Sequence, residues 1–316
     1  MAQLVGILQT AHGPFTTLEP DRWESVRSQR SYRADVPVET IEEAEAKHER
    51  TKAGLAVLRG KLEEMRPDVL LIFGDDQLEC FDFNNFPSLS VYVGEEFAGP
   101  IVRGEPHQKV PGHRDLATAL LIGLIEQGFD PAFSVDMPNK EKGMCHAVMR
   151  PLQFFTDYSI PTVPLLLNGY YPPQAPAVRC YQVGRAVRQV IDQYPDDLRV
   201  TVIGSGGLWH TPGRKNSYLD EEFDRTQLDY LARGDIRGMA EHFDSYKVAP
   251  DDESQDIYTR GMSGLPAISG PQMGTRETCN WIGAGAVAEG RPEVVVDYIP
   301  IYASPIGTAF AYCDDL

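Results

Sequence analysis

Short, unbroken apolar runs recur along the chain, and each stops at a cluster of glycine, proline or polar residues. Residues 4–8, 68–73 (DVLLIF), 161–167 and 198–203 read as strands covered on both faces, because a half-exposed strand would alternate apolar with polar positions. Residues 89–93 and 132–135 are further strands, and Val294–Ile301 reads as the final one. Between them lie segments of helical spacing. Residues 39–65 form a long amphipathic helix with Ile41, Ala44, Leu55, Leu58 and Leu62 on its apolar side, stopped by Arg66-Pro67. Helices follow at 115–127, ended by Gly128, and at 179–194. Another is expected at 221–242, broken at Gly234 with a last turn at 239–243, and one more at 277–288. Residues 249–274, rich in Pro, Gly and Ser, read as irregular.

The order strand, helix, strand over residues 4–73 is the β-α-β pattern of a parallel sheet. No internal repeat, low-complexity segment or linker divides the chain. The expected fold class is therefore α/β: residues 1–316 as a single domain, with a central mostly parallel sheet flanked by helices.

Charge narrows the partners. Lys and Arg total 29 against 46 Asp and Glu, a formal charge of −17. That disfavours nucleic acid and anionic membranes, which need a cationic face, but leaves room for a small anionic substrate held by local arginines. The first residues, MAQLVGILQTAH, lack a basic region and a small-residue cleavage site, so a cytoplasmic protein without a signal peptide is expected. Five scattered cysteines with no CxxC read as free thiols.

Chemistry gathers at the ends of these elements. The stretch VTVIGSGGLWHTPG, residues 200–213, runs from a strand into glycines and then to His210. In open α/β sheets, sites are built just past the carboxyl ends of strands. His12, Gln77, His146 and Glu277 fall at comparable ends. Two histidines and a carboxylate are the parts of a non-haem iron facial triad, and zinc takes the same atoms. A histidine that is not a ligand serves as acid or base near neutral pH. Spacing alone does not say which histidine does which. His48 and His242 read as structural, and His107 and His113 as exposed loop residues. Arg22, Arg27, Arg30 and Arg33 lie among aromatics in a segment placed over the site.

Several motifs in order carry a resemblance: the strand ending at His12, PDVLLIFGDD before FPSLSVYVG, HAVMRPL, LLLNGYYPP, RCYQVGRAVRQVI, GSGGLWH and ETCNW. Together the chain resembles the class III extradiol ring-cleavage dioxygenases, in the catalytic-subunit group typified by protocatechuate 4,5-dioxygenase, over nearly its whole length. The resemblance implies that fold, with His12 and Glu277 as ligands of ferrous iron and His210 as the acid and base toward a catechol and oxygen. It further implies that His146 lies near the substrate and that Ser304 lines the pocket. Where the family has its second histidine ligand, this chain has Gln77, in GDDQLE. Gln77 is thus expected at the third ligand position, with Asp76 and Glu79 as competitors, and GDDQ resembles a subgroup trait of the wider superfamily.

The implied partners are a small aromatic diol and O2, a homo-oligomer, and a small partner subunit. Arg22, Arg27, Arg150 and Arg276 are candidates for a substrate carboxylate or for surface ion pairs. Because of Gln77, two alternatives stay open: a metal-dependent hydrolase or lyase on the same fold, and a non-catalytic relative.

Overall fold

Alternation along β2 (Val69–Asp75) shows how the molecule is layered. Val69, Leu71 and Phe73 enter one apolar cluster, and Leu70 and Ile72 enter the cluster on the opposite face. Both faces are covered, which is why the run is continuously apolar rather than alternating. A computed structural model gives the arrangement, and it describes residues 1–102, 104–211, 215–248 and 263–316.

Eight strands form the main sheet in the order β6-β3-β7-β2-β8-β1-β10-β9. They are β1 (Gln3–Thr10), β2, β3 (Leu89–Tyr92), β6 (Ala132–Ser134), β7 (Thr162–Leu167), β8 (Arg199–Ser205), β9 (Val294–Ile301) and β10 (Ile306–Cys313). The central strands β7, β2, β8 and β1 are mutually parallel. β10 runs antiparallel to both β1 and β9. β4 (Glu96–Gly99) and β5 (Gln108–Pro111) make a separate two-stranded sheet.

One face carries α1 (Trp23–Arg27), α2 (Ile41–Met65) and α4 (His146–Phe155). The other carries α3 (Arg114–Glu126), α5 (Ala177–Gln193), α6 (Glu221–Ala232), α7 (Ile236–Ser245) and α8 (Thr278–Ala286). A capping box starts α2: Thr40 Oγ1 accepts from the Glu43 N–H at 3.2 Å, and the Glu43 carboxylate accepts from the Thr40 N–H at 2.8 Å. The helix stops where Arg66 turns left-handed, at φ 44°.

The structure is α/β as expected; it corrects the reading in one place and supplies an element in another. Val294–Ile301 is not the last strand, because β10 follows it and enters the sheet between β1 and β9. The segment at His146 is a helix, although Pro151 lies inside it and Cys145 gives no side-chain cap. Most of the segment read as irregular, residues 249–262, lies outside the described residues, as do 212–214 after His210. Among the described residues no helix is long and apolar enough to cross a membrane.

Candidate metal centre

β1, β2 and β8 end side by side, with Gln9 and Phe73 both in register with Gly204. Just beyond, His12 leaves β1, Asp75 closes β2, and Gly206 and Gly207 leave β8. Opposite them, a 3-10 turn at Met273–Glu277 sets Glu277 at the start of α8. Only glycine fits at position 206, where a Cβ would lie 2.7 Å from the Glu277 carbonyl oxygen. The chain therefore brings two backbones together to reach one point.

At that point His12, Asp75 and Glu277 each offer a donor atom, all within 4.8 Å of one another. Their exposures are 1%, 0% and 2%. His12 Nε2 lies 3.3 Å from Glu277 Oε2, and its Nδ1 lies 2.9 Å from Ser205 Oγ, a contact that fixes the ring. The Gly207 N–H donates to Glu277 Oε2 at 3.0 Å, and Asn280 Nδ2 donates to Asp75 Oδ1 at 3.1 Å.

Burial, with the charge of Glu277 added, pushes the Asp75 carboxyl up to about 7. Burial likewise raises Glu277. It drives His12 down to about 3, with His146 adding to the effect. Among the described residues neither carboxylate is ion-paired with a lysine or arginine. Two buried carboxylates and an imidazole around one point, with Arg150 nearby but bound to the His12 carbonyl and paired with neither carboxylate, fit a divalent cation that accepts mixed nitrogen and oxygen ligands.

Gln77, expected at the third ligand position, lies against the two carboxylates of the trio. Its Nε2 is 3.0 Å from Glu277 Oε1 and 3.4 Å from Asp75 Oδ2, so it bridges the two carboxylates as a donor. The reason lies in β2, which runs two residues past Phe73 and pairs Asp75 with Leu167. Asp75 consequently enters the pocket from the strand itself. The two competitors are engaged elsewhere. Asp76 accepts the backbone N–H groups of Glu79, Cys80 and Phe81, at 3.3, 2.7 and 3.2 Å. Those bonds also occupy the carboxylate of a second buried trio, Asp76, Cys80 and Cys145.

Glu79 instead holds His146. Its Oε2 lies 2.8 Å from His146 Nδ1 and accepts the His146 N–H at 3.3 Å, supplying the acceptor that Cys145 does not give α4. The His146 ring meets His12 edge to face, with centroids 4.8 Å apart. Burial alone would lower the His146 pKa, but the charge and hydrogen bond of Glu79 outweigh it and the net shift is upward. His210 Nε2 lies 3.4 Å from Glu277 Oε1, and its N–H donates to Thr275 Oγ1 at 3.1 Å. Its Nδ1 is buried without a hydrogen-bond partner, and burial lowers its pKa. Gly274 packs so tightly on the ring that a Cβ there would fall inside it.

Ser304 is not among these donors. It is buried in the turn between β9 and β10, next to the bridge that pairs His210 with Ile306, and its Oγ accepts from the Arg30 guanidinium. Three of the four arginines considered for a substrate carboxylate are bound to backbone carbonyls: Arg27 to Tyr302, Arg150 to His12, and the fully buried Arg276 to Ser269 and Ala175. Arg22 is exposed. Asp75 is the residue that sequence reasoning missed, and the signal was a carboxylate ending a wholly apolar strand.

Residues 33–260 match the family profile described as the catalytic LigB subunit of aromatic ring-opening dioxygenase, and the chain belongs to that family. It is 31% identical over 162 residues to a 2,3-dihydroxyphenylpropionate/2,3-dihydroxicinnamic acid 1,2-dioxygenase of Mycobacterium sp. (strain MCS), covering 51% of this chain and 49% of that protein. It is 30% identical over 131 residues to a gallate dioxygenase of Pseudomonas putida, covering 40% of this chain and 38% of that protein. The chain thus spans about half the length of the first relative and less of the second. An uncharacterized protein of Escherichia coli K12 aligns over 98% of this chain and 99% of its own at 13% identity, with a TM-score of 0.47.

Proposed function

We propose that this chain opens the ring of a small aromatic diol with O2, extradiol fashion, using ferrous iron held by His12, Asp75 and Glu277. The observation that carries the reading is the buried, mutually close trio of donors, its carboxylates ion-paired with no lysine or arginine among the described residues, in a chain of the ring-opening family. Bound there, ferrous iron supplies Lewis acidity toward the phenolic oxygens and the electrons that oxygen needs to react with a closed-shell ring.

The protein's own part concerns position and protons. Gln77 ties Glu277 to Asp75 and so fixes the direction of both carboxylates. His210, held by Thr275 and confined by Gly274, is placed to take a proton from a diol hydroxyl and return it to the product oxygen. His146, oriented by Glu79, presents its remaining ring nitrogen as the second proton carrier. Burial around the trio keeps water from competing.

The test is oxygen uptake by the chain loaded anaerobically with ferrous iron, given catechol, gallate and 2,3-dihydroxyphenylpropionate. One O2 should be consumed per ring opened for at least one diol. His210→Gln should keep its metal and lose turnover by roughly 10²–10⁴-fold. No uptake with any diol, or ring products formed without oxygen, would overturn the reading.

A further inference from the structure

We propose that Arg30 is the anchor for an anionic substituent of the substrate, a carboxylate carried by the aromatic ring or by a short chain on it. This rests on the ring-opening reading above. Arg30 follows α1 and reaches the turn between β9 and β10, where the only hydrogen bond of its guanidinium among the described residues goes to Ser304 Oγ. No Asp or Glu among the described residues lies within ion-pairing distance of it. Arg27, Arg150 and Arg276 also lack a carboxylate, but each donates to backbone carbonyls, whereas the half-buried Arg30 guanidinium meets only a hydroxyl.

Its neighbours in the same segment are already committed. Arg33 pairs with Asp35 at 2.6 Å, and Arg27 donates to the carbonyls of Tyr302 and Val36. Arg30 has five N–H donors in a planar fork suited to a carboxylate, and a serine hydroxyl occupies a single arm. Burial lowers its pKa, which marks a cation short of compensation. Tyr32 and Tyr170, uncharged near neutral pH, are its titratable neighbours, and the charge of Arg30 helps to lower the His210 pKa.

The placement gives the geometry a purpose. Ser304 sits in the turn that leads to Ile306, and Ile306 bridges His210. This puts Ser304 and Arg30 beside His210, so a substituent on the edge of a diol ring held next to His210 would lie within reach of the turn. A carboxylate arriving there would take over the fork of Arg30 that Ser304 now shares.

Matched pairs of acid and ester separate this from a merely structural tether between two loops. The iron-loaded chain and its Arg30→Met and Arg30→Lys variants are given gallate against methyl gallate, and 2,3-dihydroxyphenylpropionate against its methyl ester. Arg30→Met should raise KM for the acids by roughly 10- to 100-fold, the range for losing a charged hydrogen bond. It should leave kcat nearly unchanged and KM for the esters within about twofold, and Arg30→Lys should recover part of the loss. In parallel, calorimetry on the iron-free chain should show 3-phenylpropionate binding to the wild type and not to Arg30→Met. Equal losses for acid and ester, or no loss for either, overturn the proposal. If no diol is turned over yet 3-phenylpropionate binding depends on Arg30, the anion site stands and the ring-opening reading falls.

Discussion

In the proposed site, Asp75 and Gln77 share a task that the family resemblance assigns to one histidine. A carboxylate in place of an imidazole makes the donor set harder and adds a negative charge, while the Gln77 amide offsets the repulsion between Asp75 and Glu277 by donating to both. Removing a ligand and removing its orienting neighbour have different consequences. Asp75→Ala should leave the purified chain without bound metal. Gln77→Ala should bind at full stoichiometry but more weakly, by about 10- to 100-fold, the usual scale for an outer partner of a ligand. Metal content together with a ferrous titration reads both, and the reverse result would return Gln77 to the ligand position. That His12, His210 and Glu277 would lie together was legible because each stands at the end of an element, beside glycine or at a helix start. Asp75 was not, because Gly74 looks like a breaker and here is an ordinary strand residue paired with Leu166. Arg30 was visible only as one arginine among four, since nothing local says that Arg33 finds Asp35, Arg27 finds backbone carbonyls and Arg30 finds only a hydroxyl.

At the scale of elements, the site depends on how closely α8 can approach the sheet. Gly184 on α5 and Gly283 on α8 make this crossing possible: a Cβ on Gly184 would fall on the Gly283 carbonyl and lie 2.7 Å from Ala286 Cβ. On its other side, a Cβ on Gly283 would lie 2.7 Å from the Phe73 ring, in the strand that ends at Asp75. Gly184→Ala should therefore cost about 1–3 kcal/mol by overpacking. It should weaken metal binding as well, because α8 carries Glu277 at its N-terminal end. Denaturant unfolding and metal titration of this variant check the two effects, and unchanged stability would show that the crossing relaxes freely. Such crossings explain which elements the pattern of apolar positions revealed. Strands buried on both faces, such as β2 and β7, stand out as apolar runs. β10 (IGTAFAYC) mixes glycine, alanine and threonine, and only pairing with β1 and β9 makes it a strand. α4 was hidden because its N-terminal acceptor, Glu79, comes from a distant loop.

For the whole molecule, the formal charge of −17 hides the fact that several acids are buried where they cannot easily ionise. Glu293 is one of them, outside the donor trio. It enters β9 beneath α8, its Oε1 accepts from Gln9 Nε2 at 3.2 Å, and its Oε2 is buried without a hydrogen-bond partner. Burial lifts its pKa from 4.5 to about 8, against the smaller opposing effect of the Gln9 hydrogen bond. Because the folded value lies above the unfolded one, the folded state holds a proton that the unfolded chain releases between these limits. The stabilisation is complete below the unfolded pKa and is lost as pH rises through the folded one. Across that window this residue alone should lower stability by about 1.4 kcal/mol per pH unit. Glu293→Gln keeps the shape and removes the proton. Asp75, Asp224 and Glu277 titrate in both proteins, so the difference between the two stability curves isolates Glu293. Denaturant unfolding of the metal-free chain and the variant, from about pH 5 to about pH 9, should show the variant gaining on the wild type as pH rises and levelling off near the folded pKa. Parallel curves would mean that Glu293 is ionised in the folded protein.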